Sequence, residues 1–446
     1  MAKQKIAVVG AGLCGSLLAI RMAQRGYEVH VFEKRPDPRV EMLDAGRSIN
    51  LALSDRGLRA LDMVGMKDRV KSELIPMYGR MIHTPGQEPR LARYSGREGE
   101  YINSVSRPGL NNLLLDKAEE YPDLKLYFNS PCKKVDLENG EVVYLEDGME
   151  RSFTADIVFG TDGAGSAVRR SMSAQSNALR FNFSQQFLEH GYKELAIFPD
   201  ENGNFKIDGN ALHIWPRGGH MIIALPNLDR SFTVTMFHPF KGKDGFDALT
   251  DADKVTDFFR ENYAELLELI PDLTDQFFTN PTSSLGTIKC YPWQTHEKTL
   301  LLGDAAHAIV PFYGQGMNAS FEDVVVLDEC IEAYGPDWGP VFQAFQEKRK
   351  KDADAIADLA IDNFVEMRDK VADPVFIRKR QLEMELESTY PEYYSKYSLV
   401  TFREEIPYSE AMRRGRWQDD VLLDYCRKTK KTSLETALEL TADYPG

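Results

Sequence analysis

The chain has 446 residues, 43% hydrophobic and 28% charged, enough for a large core and two or three domains. A net charge of −15 excludes nucleic acid and anionic lipid surfaces as natural partners, because both would be repelled. Five scattered cysteines, Cys14, Cys132, Cys290, Cys330 and Cys426, suit a reducing compartment better than a disulfide framework. Lys3 and Lys5 precede an apolar stretch reaching Ala19, superficially like a signal peptide, but its glycines and the strand beyond favour a nucleotide fold. No later window offers about 18 uninterrupted apolar residues, so a transmembrane span is not expected and the expected location is cytoplasmic.

The first element is an apolar strand, Lys5-Ile6-Ala7-Val8-Val9. It runs into Gly10-x-Gly12-x-x-Gly15, a helical pattern, and a second strand, Val29 to Phe32, ending in Glu33. That is the dinucleotide fingerprint in its required context. Gly10 allows the tight turn, Gly12 lets the backbone approach a pyrophosphate, and Gly15 lets helix and strand pack closely. The pyrophosphate belongs at the helix N-terminus, where unpaired N–H groups favour anions. Glu33 stands where an acid accepts from ribose hydroxyls. The motif does not separate NAD from FAD.

A helix is expected around Leu58–Val64, strand and turn from Met81 to Val105, and a helix over Leu110–Ala118. Leu124–Leu145 alternates like a hairpin around an Asn139-Gly140 turn. Ala155–Gly160 reads as a strand followed by Thr161-Asp162-Gly163 and a helix start at Val168-Arg169. Beyond Arg170 the chain is β-rich through Leu212–Pro216, Met221–Leu225 and Phe232–Phe237. Helices follow around 251–270 and 320–372, and the tail from 375 to 446 is helical. The basic runs Lys348–Lys351 and Arg427–Lys431 read as solvated helix faces without a role.

The run Lys298–Leu302, Gly303-Asp304-Ala305-Ala306-His307 separates the two cofactors. A short buried strand delivers Asp304 to where a carboxylate can hold a ribityl hydroxyl. After Pro311-Phe312-Tyr313-Gly314, the turn Gly314-Gln315-Gly316-Met317-Asn318 opens a helix through Phe321, Val324 and Leu327. Its N-terminus suits the negative edge of a reduced flavin. Reading Gly314-x-Gly316-x-x-Ala319 as a second fingerprint fails for want of a strand immediately before it. His307 beside Asp304 invites a metal or base reading; with no second histidine at ligand spacing, packing is preferred and no metal is expected.

These three segments, in this order, resemble class A flavoprotein hydroxylases. The fold class implied is α/β: a Rossmann-type FAD-binding domain interleaved with a β-sheet substrate domain, the para-hydroxybenzoate hydroxylase fold, plus a C-terminal helical region. The expected FAD-binding domain comprises 1–75, 100–175 and 285–330. The substrate-binding sheet takes 76–99 and 176–284, and the helical region 331–446. Further strings narrow the resemblance: Gly46-Arg47-Ser48-Ile49-Asn50-Leu51-Ala52-Leu53-Ser54, Gly79-Arg80-Met81-Ile82-His83, Leu212-His213-Ile214-Trp215-Pro216-Arg217 and Asn363-Phe364-Val365-Glu366-Met367-Arg368. They resemble the kynurenine 3-monooxygenase family, from the N-terminus to about Arg368.

The resemblance implies hydroxylation of L-kynurenine to 3-hydroxykynurenine in tryptophan degradation, with FAD, NADPH and O2, by way of a flavin C4a-hydroperoxide. It implies that FAD meets Gly10, Gly12, Cys14, Gly15, Glu33, Lys34, Arg35, Ala52, Arg107, Asp162, Asp304, Gly316, Met317 and Asn318. Pro311, Phe312, Tyr313 and Gly314 would line the flavin's reactive face. Arg80 would pair with the substrate carboxylate and Tyr94 donate to it, a guanidinium fork matching a carboxylate with two parallel bonds. Asn363, Glu366 and Met367, at i, i+3 and i+4, would share one pocket, and Tyr397 would complete it. Outside the family pattern Arg80 reads as a surface cation and Tyr94 as a packing residue. No second Rossmann unit stands ready for NADPH, so a transient encounter is expected. Mitochondrial members carry a C-terminal membrane anchor. The polar end at Tyr444-Pro445-Gly446 implies the soluble bacterial type, a monomer or homodimer, with the tail capping the active site. The flavin fold alone leaves another hydroxylase, a reductase, a halogenase or a flavin-containing redox interaction module open.

Overall fold

A computed structural model describes residues 3–41, 50–370 and 373–445, the side chains of 368 and 369 excepted. The Gly46–Ile49 part of the first family string and the side chain of Arg368 lie outside the described residues.

Two large sheets organise the molecule. The first has six strands; five run parallel in the spatial order Thr299–Leu301, Ile157–Gly160, Lys5–Val9, Glu28–Phe32 and Leu124–Tyr127, and Gln294–Thr295 adds an antiparallel edge. Its central strands are buried on both faces, as their continuous Ile, Val and Phe runs require. Helices cover it: α1 (Leu13–Gln24), α2 (Asp55–Met63), α3 (Arg107–Glu119), α4 (Ala167–Ala174) and α5 (Gly316–Tyr334). The carboxyl ends of Lys5–Val9, Ile157–Gly160 and Thr299–Leu301 lie side by side, so the turns at Gly10, Asp162 and Asp304 open at one edge. A parallel α/β sheet binds its ligand there.

The second sheet has seven strands in the order Thr282–Tyr291, Asn182–Ile197, Phe232–Pro239, Met221–Pro226, Leu212–Pro216, Gly79–Ile82 and Arg90–Arg93. Thr282–Tyr291 pairs along Asn182–Lys193, so this sheet continues past position 285. One face packs on helices between Ala252 and Thr279 through Trp215, Phe232, Phe259 and Tyr263. The other, through Ile214, Met221, Phe237 and Leu285, packs with Val310 and Phe312 and with Ile356, Leu359 and Phe364 of the long helix Trp338–Val365. The Asn139-Gly140 turn joins Cys132–Asp136 to Glu141–Glu146, whereas Leu124–Tyr127 belongs to the six-stranded sheet.

The remaining chain is helical: α6 (Trp338–Val365), a π-helical turn at Glu366–Lys370, α7 (Pro374–Thr389), α8 (Lys396–Thr401), α9 (Tyr408–Lys428) and α10 (Leu434–Ala442). Among the described residues no helix is long and apolar enough to cross a membrane. Arg427, Lys428, Lys430 and Lys431 are exposed, as a solvated face should be. Arg349 departs from the reading of its basic run: it is buried, one step on the inward stripe Phe342, Phe345, Arg349, Ala353, Ile356 of α6, with Lys348 and Lys351 outside. Helical spacing, not charge density, decides which cation of such a run is exposed.

Candidate active site

The cradle at the sheet edge is built from backbone. Gly10 adopts φ +101°, and a Cβ there would lie 2.8 Å from the Asp162 Cα. At Gly15 a Cβ would stand 1.9 Å from the Gly10 carbonyl oxygen. Thr161 donates its hydroxyl to the carbonyls of Val9 and Gly10, at 2.9 and 3.0 Å, tying this turn to the Asp162 turn. Around Gly12, by contrast, nothing stands within 4 Å of a would-be Cβ. That open space lies at the start of α1, whose first turn carries no acidic residue; α5 starts at Gly316 without one either. Both helix starts thus keep their positive ends free for an anion.

Three carboxylates surround the cradle. Glu33 is buried and accepts the Ala11 N–H at 2.8 Å and the Arg35 N–H and Nε at 3.1 and 2.7 Å, leaving little free acceptor capacity. Burial opposes its ionisation, but Arg35 and these N–H groups outweigh it and hold the carboxyl below its usual range. Asp162 accepts from the Ala167 and Val168 N–H groups with Oδ2, while its buried Oδ1 has no partner. Asp304 is solvent-accessible yet sits deep in the cleft. Burial raises both Asp162 and Asp304, with the charge of Arg107 opposing the shift at Asp304. Lys34 and Arg107 are exposed. Cys14 packs α1 onto the Gly303 turn and α5, its thiol 3.5 Å from the Ser320 carbonyl and kept protonated, first by burial and then by Asp323 and Asp304. Ala52 borders Gly314, whose would-be Cβ lies 3.0 Å from it. Asn318 is fully engaged, accepting from Ser54 N–H and donating to the carbonyls of Ala52 and Gly314. An unpartnered buried oxygen, open space at Gly12 and two uncapped helix starts fit a dinucleotide. His307 instead holds Asp323 at 2.6 Å in the core, and among the described residues no cluster suits a metal ion.

Between the seven-stranded sheet and the helical region lies a cavity of about 350 Å³. Arg80, Tyr94, Tyr313, Asn363, Glu366, Met367 and Tyr397 all line it. Three tyrosines form a stack: Tyr397 lies parallel between Tyr94 and Tyr313, with ring centroids 5.2 and 5.6 Å away. The Arg80 guanidinium stands 5.1 Å from the Tyr397 ring centroid and 5.7 Å from that of Tyr94, and among the described residues no carboxylate pairs with it. The hydroxyls of Tyr94 and Tyr313 are buried without a hydrogen-bond partner. Burial keeps all three phenols protonated, so they are donors at neutral pH.

The loop 311–314 divides its side chains. Tyr313 enters the cavity, while Phe312 turns into the core against Phe364 and Phe237, with centroids 4.3 and 4.8 Å apart. Pro311 is exposed and Gly314 takes φ +68°, ending the turn before α5. Asn363 donates to the Phe312 carbonyl at 2.6 Å and to the Met367 sulfur at 3.3 Å, so its amide also fixes the loop. Glu366 accepts from Lys396 at 2.5 Å.

Sequence reasoning missed the ionic floor of this cavity. Lys396 bridges Glu366 and Asp419, both at 2.5 Å, and Asp419 also pairs with the buried Lys379, which Glu383 holds at 3.0 Å. Burial works against Asp419 being charged, yet Lys379 and Lys396 hold it well below the usual carboxylate range. The one available signal is Gly415 inside α9, where a Cβ would meet the Lys396 Cγ at 2.5 Å; a mid-helix glycine costs about 1 kcal/mol and asks for a packing reason. Arg169 was also overlooked. It donates to the carbonyls of Ala305 and Ala164, joining the Asp162 and Asp304 turns. From the tail, Phe376, Ile377, Lys379, Arg380 and Met384 of α7 and Lys396 and Tyr397 of α8 line this cavity.

Comparison with known proteins places this architecture. A family model described as an FAD binding domain matches residues 3–334. The kynurenine 3-monooxygenase of Flavobacterium psychrophilum is 46% identical over 97% of this chain and 96% of its own length; that of Dictyostelium discoideum is 42% identical over 98% and 96%. The chain belongs to the kynurenine 3-monooxygenase family. Among solved structures, a p-nitrophenol 4-monooxygenase from Pseudomonas putida superposes with a TM-score of 0.71 at 17% identity, covering 92% of this chain and 98% of that one. A 2-methyl-3-hydroxypyridine-5-carboxylic acid oxygenase gives 0.68 at 20%, covering 88% and 99%. At such identities they show that the fold is shared.

Proposed function

We propose that this chain is an FAD-dependent monooxygenase that hydroxylates L-kynurenine to 3-hydroxykynurenine with NADPH and O2. The observation that carries the reading is the Arg80 guanidinium, without a carboxylate partner among the described residues, in a tyrosine-lined cavity where the buried Tyr94 and Tyr313 hydroxyls have no hydrogen-bond partner. Such a wall asks for a small carboxylate attached to an aromatic body, which kynurenine is. The names of the relatives point the same way.

FAD, when bound, supplies the redox chemistry by which NADPH and O2 are used, chemistry that side chains lack. The residues to hold it are the Gly10–Gly15 turn, Asp162, Asp304, Arg107 and the N-terminus of α5. Arg80 takes the substrate carboxylate as a fork and Tyr94 donates a phenol proton to it, both fixing the ring's position. Asn363 anchors the amino-acid end and steadies Phe312, so that Tyr313 and Gly314 present a fixed edge toward the reacting ring. Glu366, held by Lys396, sets the polar limit of the pocket. Ile82, Ile214 and Met367 keep water from the reacting face. The arylamine activates its own ring, and no protein base is needed. The same proposal divides the chain into a cofactor domain, a substrate sheet and a helical cap, and has it act in the cytoplasm as monomer or homodimer. NADPH oxidation by the purified yellow protein should rise on adding L-kynurenine, with a product heavier by one oxygen. No stimulation and no such product would sink the assignment.

A further inference from the structure

Arg56 occupies a place where a cation is unfavourable. It lies in the first turn of α2, at the positive end of the helix dipole, and is 1% exposed. Such a residue persists only if its surroundings satisfy it. Nε donates to the Val400 carbonyl at 2.9 Å, Nη2 to those of Arg403 and Ile406 at 3.0 and 2.5 Å, and Nη1 to Glu322. The guanidinium lies 4.0 Å from the Tyr408 ring centroid. The carbonyls are those of the last turn of α8 and the chain just beyond it, acceptors that a helix end leaves without internal partners. α8 is the helix that carries Tyr397.

The same guanidinium leads to the cofactor cradle by two routes. Glu322 shares its other oxygen with buried Arg349 at 2.5 Å, and Arg349 holds Asp323 at 2.7 Å. Asp323 accepts the Gly303 N–H at 2.9 Å and His307 at 2.6 Å, on either side of Asp304. On the second route, Tyr408 donates its hydroxyl to Gln315 at 2.9 Å, one residue before α5 begins. Arg56 itself touches neither the cavity nor the cleft, so its effect must pass through the segments it grips.

We propose that Arg56 is a positioning residue that locks the Tyr397 wall of the substrate pocket to the Gly303–Asp304 and Gln315–Gly316 turns of the cofactor cradle. Substrate ring and flavin are thereby held in one register; the inference rests on the function proposed above. Lysine in its place keeps the charge but cannot span these acceptors with a planar fork. In Arg56→Lys with FAD bound, the share of oxidised NADPH recovered as hydroxylated product should fall at least fivefold, with H2O2 making up the difference. Bound kynurenine should still perturb the flavin absorption, since Arg80 is intact, and the visible circular dichroism of the flavin should differ from wild type. Tyr408→Phe, which deletes only the bond to Gln315, should uncouple in the same direction by a smaller factor. Wild-type coupling in Arg56→Lys overturns the proposal. If that variant fails to fold or to hold FAD, Tyr408→Phe decides alone, and full coupling there overturns it. Were the wild type inactive on kynurenine, the functional reading would fail separately. The flavin dichroism would still judge Arg56, with identical spectra in wild type and Arg56→Lys counting against it.

Discussion

The cofactor cradle and the substrate pocket are assembled from different materials. Backbone makes the cradle: strand ends, glycine turns and helix starts, with carboxylates at Asp162 and Asp304 that burial pushes toward neutrality. Side chains make the pocket, drawn from the edge of one sheet and from α6, α7 and α8, with Lys379, Arg380 and Lys396 locked in ion pairs along its floor. What each leaves unpaired names its ligand. The cradle offers helix N–H groups and the carboxylates of Asp162 and Asp304; the pocket offers a guanidinium and two phenols. The cradle therefore tolerates no added atom at Gly10 or Gly15, and the pocket tolerates changed shape but not broken pairing.

The largest effect should come from adding an atom to the cradle. Gly15→Val places carbon 1.9 Å from the Gly10 carbonyl, and neither backbone segment can yield without undoing the turn. The expected outcome is protein without FAD, read from the absorbance of the purified sample. A yellow, fully loaded Gly15→Val would show that the turn does not cradle the cofactor. Next comes broken pairing in the pocket. Asp419→Ala leaves two buried ammonium groups with one carboxylate each, Lys379 with Glu383 and Lys396 with Glu366, and removing one member of a buried ionic set costs about 3–5 kcal/mol. Urea denaturation of the holoenzyme should record a loss of that order.

The smallest effect separates the regions by pH. In the substrate sheet, burial lowers His213, His220 and His238 to about 4, about 3 and about 4 from 6.5. Their folded values lie below the unfolded one, so the stability they carry is whole above pH 6.5 and is lost as pH falls toward 4. Glu194, facing the cleft near Arg107, has the opposite sign. Burial raises it from 4.5 to about 7, so its contribution is whole below pH 4.5 and is lost as pH rises through 7. In melting profiles from pH 4 to 8, His220→Phe should flatten the acid limb and Glu194→Gln the alkaline limb. If each variant merely shifted the whole curve, these groups would not be the ones titrating.

The contrast in materials also explains what could be read from the chain. A backbone cradle must be written contiguously, because glycines act only where a turn or close approach falls, so Gly10-x-Gly12-x-x-Gly15 and Gly303-Asp304 were legible together with the strands that deliver them. The pocket is written in pieces hundreds of residues apart. Arg80, Tyr94, Asn363 and Tyr397 came from family resemblance, since nothing in a lone arginine or tyrosine announces a cavity. Buried charge was hardest to see: Lys396, Asp419, Arg56 and Arg349 look in sequence like any surface residue, and Arg349 was read as one. Only its place on the apolar stripe of α6, and the glycine opposite Lys396, betrayed them. Phe312 shows a subtler limit, for the loop was read as one unit while the direction of that ring depends on Phe237 and Phe364 from distant elements.

The separation of the two sites is tested most directly by titrating L-kynurenine into wild type and Arg80→Ala while following the flavin absorption. The expected result is full FAD occupancy in both, with the dissociation constant for kynurenine raised about 10- to 150-fold in the variant, as for a charge-assisted fork worth about 1.5–3 kcal/mol. Unchanged affinity, or loss of FAD with the arginine, would contradict it.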